Sequence, residues 1–147
     1  MTREELVDLI ADAKQQKGLS WAKIAETLGK SKEWVTAGCL GQMSFTKEQA
    51  AALVDLLDLP AEASALLQTP PHRGSLPTAV PTDSLIYRFY ELISVYGTTF
   101  KELIQEEFGD GIMSAIDFRM GLEREPDPNG DRVRIVMSGK FLPYRQF

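Results

Sequence analysis

Among its 147 residues the chain has one cysteine, Cys39, and one histidine, His72. A single cysteine excludes an intrachain disulfide, and the neighbours Ala37, Gly38 and Leu40 mark Cys39 as a small buried hydrophobe. A single histidine lying among prolines excludes histidine-based triads and multi-histidine metal sites. Positive charge is also scarce. The net charge is −5, with 7 basic and 10 acidic residues in 1–69 and 9 and 11 in 70–147. Neither part offers the concentrated Lys/Arg surface that phosphate contact requires, so no nucleic-acid partner is expected. No apolar run reaches the ~20 residues of a membrane-spanning helix, and Met1-Thr2-Arg3-Glu4-Glu5 is polar rather than signal-like. No membrane partner and a cytoplasmic location are expected. Asp110, Asp117 and Asp127 stand in unlike contexts without ligand spacing, so neither a metal nor another cofactor is expected.

The chain is nonetheless 44% apolar and 25% charged, the balance of a soluble globular protein of one or two small domains. Thr2-Arg3-Glu4-Glu5 and Thr46-Lys47-Glu48-Gln49 match the capping box, in which Thr and Glu/Gln side chains each take a free amide. Ser20 and Ser31 read as simpler caps. Apolar residues follow at helical spacing, and breaks at Gly18, Gly29, 41–44 and Pro60 divide residues 1–69 into a five-helix bundle. Residues 20–35 read as a helix-turn-helix with Gly29 in the turn. Its second helix would turn Lys32, Glu33, Thr36 and Gly38 outward, a set poor in groups that read base edges.

Four prolines in residues 70–81 make that stretch an extended linker. Thr82-Asp83 then caps a helix expected to stop at Gly97, and Thr99 is expected to cap another that closes at Gly109. From Ser114 to Leu122 the apolar period changes to two, residues 125–131 form a hairpin loop tipped by Asn129-Gly130, and Val133, Ile135 and Met137 return. Residues 139–144 form an apolar tail that needs cover. The fold class is therefore mainly α with a small β part, α+β. Its second domain, residues 82–147, joins helices to a β-hairpin and is too small for a large core of its own, which predicts an intimate oligomer.

Arg88 and Glu91 lie three apart, so a helix projects both from one face. Leu85, Ile86, Phe89, Leu92, Ile93 and Tyr96 surround them, and an arginine in such company requires an anion or a carboxylate. The expectation is a buried anion site. Downstream, the glycine-rich Gly109-Asp110-Gly111 leads to Ser114, whose hydroxyl, with the amides of Ser114 and Ala115, can donate to an anion.

Tyr87-Arg88-Phe89-Tyr90-Glu91, Val95-Tyr96-Gly97-Thr98-Thr99, the run from Phe108 to Phe118 and Gly139-Lys140-Phe141-Leu142-Pro143 closely resemble the cyanase (cyanate hydratase) family; Leu40-Gly41-Gln42 fits too. The resemblance spans almost the whole chain. It implies a helical N-terminal domain whose helix-turn-helix has lost DNA binding, and an intertwined C-terminal dimerisation and catalytic domain. It also implies decomposition of cyanate with bicarbonate to carbamate and carbon dioxide, carbamate then giving ammonia and more carbon dioxide. Arg88, Glu91 and Ser114 become the catalytic set, and Ile112 and Leu142 line the pocket or serve as ordinary core. The family's assembly is a homodecamer, five dimers with sites shared between subunits.

Residue chemistry is compatible with this. A guanidinium offsets the repulsion of two anions and its planar fork orients their oxygens, while Ser114 holds the second anion in an attacking geometry. Glu91 has two roles open to it, orienting Arg88 or relaying the proton that nitrogen needs. The competing class is a helix-turn-helix transcription factor that senses a small anion through Arg88.

Overall fold

A computed structural model describes residues 1–74, 76 and 78–146. Ser75 and Pro77 of the expected linker, and Phe147, lie outside the described residues. Two compact units result, Met1–Ser75 and Leu76–Phe147.

The first unit holds helices α1 (Arg3–Gln16), α2 (Trp21–Leu28), α3 (Lys32–Cys39), α4 (Lys47–Leu57) and α5 (Ala63–Gln68). Local chemistry sets the starts. The Glu5 amide donates to Thr2 Oγ1 at 3.1 Å while the Thr2 amide donates to Glu5 Oε2 at 2.6 Å, and Thr46 and Gln49 repeat the exchange before α4. Ser20 and Ser31 each accept one amide at α2 and α3. Gly29 ends α2 in the left-handed conformation at φ 62°.

Leu6, Ile10, Ile24, Val35, Leu53, Leu57 and Leu67 are fully buried, each contributing about 1.5–3 kcal/mol relative to exposure. Arg3 joins the first helix to the last, its guanidinium donating to the Leu66 and Thr69 carbonyls at 2.9 and 2.8 Å. Burial pushes the Cys39 thiol up to about 12, leaving it protonated and unreactive at neutral pH. One expectation for α3 fails. Gly38 does not face outward but is buried beneath the Phe45 ring, which a Cβ there would strike, and Phe45 in turn meets Trp34 edge-on at 5.3 Å. The helix face expected to be presented is thus partly used for packing.

The second unit opens with α6 (Ser84–Phe108), capped by Asp83, whose Oδ1 accepts the Leu85 and Ile86 amides at 2.9 Å. The expected break at Gly97 and cap at Thr99 are absent, and the helix runs unbroken for 25 residues. Glycine inside a helix costs only about 1 kcal/mol, and no proline comes after it to force a stop. The chain leaves the helix at Gly109, where φ is 87°.

Strands β1 (Gly111–Glu125) and β2 (Arg132–Pro143) pair antiparallel as a two-stranded ribbon. Both are longer than the alternation predicted, and β2 takes in most of the expected apolar tail. Regular register runs from Glu125 opposite Arg132 to Phe118 opposite Gly139, and resumes with Met113 opposite Phe141. Between these points β1 has residues 114–117 where β2 has Lys140 alone, so β1 arches away in a wide bulge. At the far end, Arg124 pairs with Asp131, Arg132 with Glu125 and Arg134 with Glu123.

Candidate active site

On α6, Arg88 Nη1 donates to Glu91 Oε2 at 2.5 Å, the geometry that i,i+3 spacing predicts. The pair is not buried within one chain: its side chains are 72% and 43% exposed, because α6 buries none of its residues. Phe89, Leu92, Ile93 and Tyr96 beside it are exposed as well, and Tyr87 and Tyr90 stack on each other at 5.8 Å. A solvated pair of this kind adds only about 0.2–0.5 kcal/mol to a helix, so stability does not account for a guanidinium held this way on an apolar surface.

Ser114 begins the arch. Among the residues of α6, β1 and β2 it alone is buried, at 5% exposure, whereas Ile116, expected on the same strand face, is 97% exposed. The physical reason lies in the bulge, which breaks the two-residue alternation at this point. Ser114 Oγ accepts the Ile116 amide at 3.0 Å and the Asp117 amide at 2.9 Å. With both lone-pair directions used, the hydroxyl proton is the part left to donate, and two donors onto one oxygen make it a better donor. Sequence reasoning had assigned the amides of Ser114 and Ala115 to an anion and missed those of Ile116 and Asp117. A serine bonding amides two and three residues ahead is a known turn pattern that could have flagged them.

Ala115 is exposed on the arch. Ile112 and Leu142 stand directly opposite each other across the ribbon, both exposed in the single chain, two residues before the arch on one strand and two after Lys140 on the other. The ribbon therefore gathers Ser114, Ala115, Ile112 and Leu142, while α6 gathers Arg88 and Glu91. No described contact joins the two groups. Ribbon and helix meet near the helix's end, where Phe108 stacks on Phe141 at 5.2 Å and Lys101, Ile104 and Gln105 line a cleft with Ile112, Met113 and Tyr144. Arg88 lies about 30 Å of helix away from Phe108.

Among the described residues, no three His, Cys, Asp or Glu side chains gather as metal ligands would, and no helix is long and apolar enough to cross a membrane.

Fold and residues together define an α+β protein with a helical N-terminal unit and a helix-and-ribbon C-terminal unit. The family described as "Cyanate hydratase, N-terminal" matches residues 3–71, and the "Cyanate lyase C-terminal domain" matches residues 78–146. The chain belongs to the cyanate hydratase family. It is 70% identical to the cyanate hydratase of Ralstonia pickettii and 68% identical to that of Dechloromonas aromatica, over 147 residues and 100% of both chains in each case. The crystal structure of cyanase from T. urticae superposes with a TM-score of 0.82 at 38% identity, covering 94% of this chain and 96% of that one.

Proposed function

We propose that this cyanate-degrading lyase takes bicarbonate as its second substrate, with Arg88, Glu91 and Ser114 as its catalytic residues. The observation that carries the reading is the Arg88–Glu91 pair, set on an apolar helix surface in a chain that matches the family from end to end. Cyanate and bicarbonate are both anions. The guanidinium offsets their repulsion, and the amide-held Ser114 hydroxyl, with the Ala115 amide, holds the second anion in line for attack.

A bicarbonate oxygen then forms a bond to the cyanate carbon. The nitrogen gains two protons, one from bicarbonate and one from outside the pair of substrates, and the mixed adduct breaks its other carbon–oxygen bond to release carbon dioxide and carbamate. Carbamate takes a further proton and falls apart to ammonia and a second carbon dioxide. The protein contributes position and charge, and no enzyme nucleophile is used. Glu91, bonded to the Arg88 guanidinium, either orients it or relays the outside proton.

One chain carries the two halves of this set on separate elements, and its second unit leaves large apolar side chains uncovered. Both facts favour sites completed between copies, in a decamer built from dimers through residues 82–147. Ile112 and Leu142 line the pocket, and the protein works in the cytoplasm without a cofactor. The decisive experiment mixes the pure full-length protein with cyanate, with and without bicarbonate, and measures ammonia. Bicarbonate-dependent release that falls at least about 10³-fold in Arg88→Ala is expected; release indifferent to bicarbonate overturns the reading.

A further inference from the structure

Strand β2 crosses beneath the Ser114 arch at Gly139. A Cβ built there would collide with the Ser114 carbonyl oxygen, come within 2.6 Å of Met113 Cγ and lie 3.3 Å from the Ser114 carbonyl carbon. Methionine can swing aside, being flexible. The carbonyl is backbone, and it cannot yield without taking Ser114 with it.

Backbone conformation does not demand glycine at this position. Gly139 is outside the positive-φ glycines, so alanine would fit its dihedrals, and glycine in a strand interior is otherwise a weakness. Space alone demands it. Gly121, on β1 of the same ribbon, provides the contrast: its φ is also ordinary, and nothing lies within 4 Å of where its Cβ would be.

The geometry points to Gly139 as a positioning residue for the reaction: by carrying no side chain it seats the Ser114 carbonyl against β2 and so fixes the direction of the Ser114 hydroxyl. This rests on Ser114 holding the second anion. Both acceptor directions of Ser114 Oγ are taken by the Ile116 and Asp117 amides, so the aim of its proton is set by the arch. A methyl group at 139 lifts that arch, and a displacement near 1 Å at a reacting group can cost about 100-fold in rate.

The test uses the full-length protein as wild type, Gly139→Ala, Gly121→Ala, Ser114→Ala and the double variant Ser114→Ala/Gly139→Ala. Ammonia release gives kcat and KM for cyanate and bicarbonate, light scattering gives the assembled size, and hydrogen exchange reports the Ile116 and Asp117 amides. Gly139→Ala is expected to assemble normally, to lose about 100-fold in kcat, to repeat the division between kcat and KM seen in Ser114→Ala, and to exchange faster at both amides. Gly121→Ala should match wild type. The double variant should be no slower than Ser114→Ala, since residues acting as one unit are non-additive.

Wild-type kcat in Gly139→Ala overturns the proposal and leaves the role of Ser114 standing; so does a double variant that loses the full extra factor. Wild-type kcat in Ser114→Ala instead removes the reading beneath it. Should alanine at 139 prevent assembly, exchange at the Ile116 and Asp117 amides is compared between the unassembled Gly139→Ala and Ile93→Asp, which keeps Gly139 but carries a charge on the exposed face of α6. Faster exchange in Gly139→Ala supports the proposal, and equal exchange overturns it.

Discussion

The two units of this chain solve burial in opposite ways. Fourteen apolar residues between Leu6 and Leu67 are buried within the first unit, whereas in α6, β1 and β2 the one buried residue is a serine. The first unit satisfies its hydrophobic surface alone; the second buries only Ser114 and leaves its large apolar side chains exposed in the single chain. The proposed catalytic residues sit in the unit whose apolar surface the single chain leaves exposed, and the proposed assembly would cover it.

That contrast can be broken most severely at Ile93, which is 57% exposed on α6. On a surface that stays wet, Ile93→Asp would change stability by only about 0.5 kcal/mol. We expect instead loss of the oligomer and of ammonia release together, seen by sedimentation and activity on the same sample. Glu91→Gln should separate the two properties. It keeps the size of the particle while turnover falls about 100-fold, the usual scale for a proton-handling or orienting group; wild-type turnover would take Glu91 out of the chemistry. The mildest change belongs to the first unit, where Leu53→Ala removes a fully buried side chain. A cost of about 2–5 kcal/mol is expected, read as a lowered melting temperature of that unit that does not vary with protein concentration.

How legible each feature is in the sequence depends on the range of the forces involved. Caps at Thr2, Ser20, Ser31 and Thr46 were legible because each bond spans three residues. The Arg88–Glu91 pair was legible for the same reason, since helix geometry alone brings the two together. Gly97 misled because glycine only weakens a helix, and whether the helix ends there is decided by the residues beyond it. The Ser114 arch was not legible, because strand register is fixed by pairing with residues more than twenty positions away. Exposure of the apolar flanks was hidden by the same logic. Periodicity tells which face is apolar, and says nothing about which molecule covers it.

The ribbon's far end also bears on aggregation. A two-stranded sheet has two open edges, each a template onto which any passing strand could pair. Arg124, Arg132 and Arg134 with Asp131, Glu125 and Glu123 place charge along that end of both edges, and Pro126, Pro128 and Pro143 interrupt the ladder at its limits. Extension into a cross-β stack would bring like charges into register and meet residues without an amide to offer. The ribbon thus carries gatekeepers against strand-to-strand aggregation in the same unit whose apolar side chains the single chain leaves exposed.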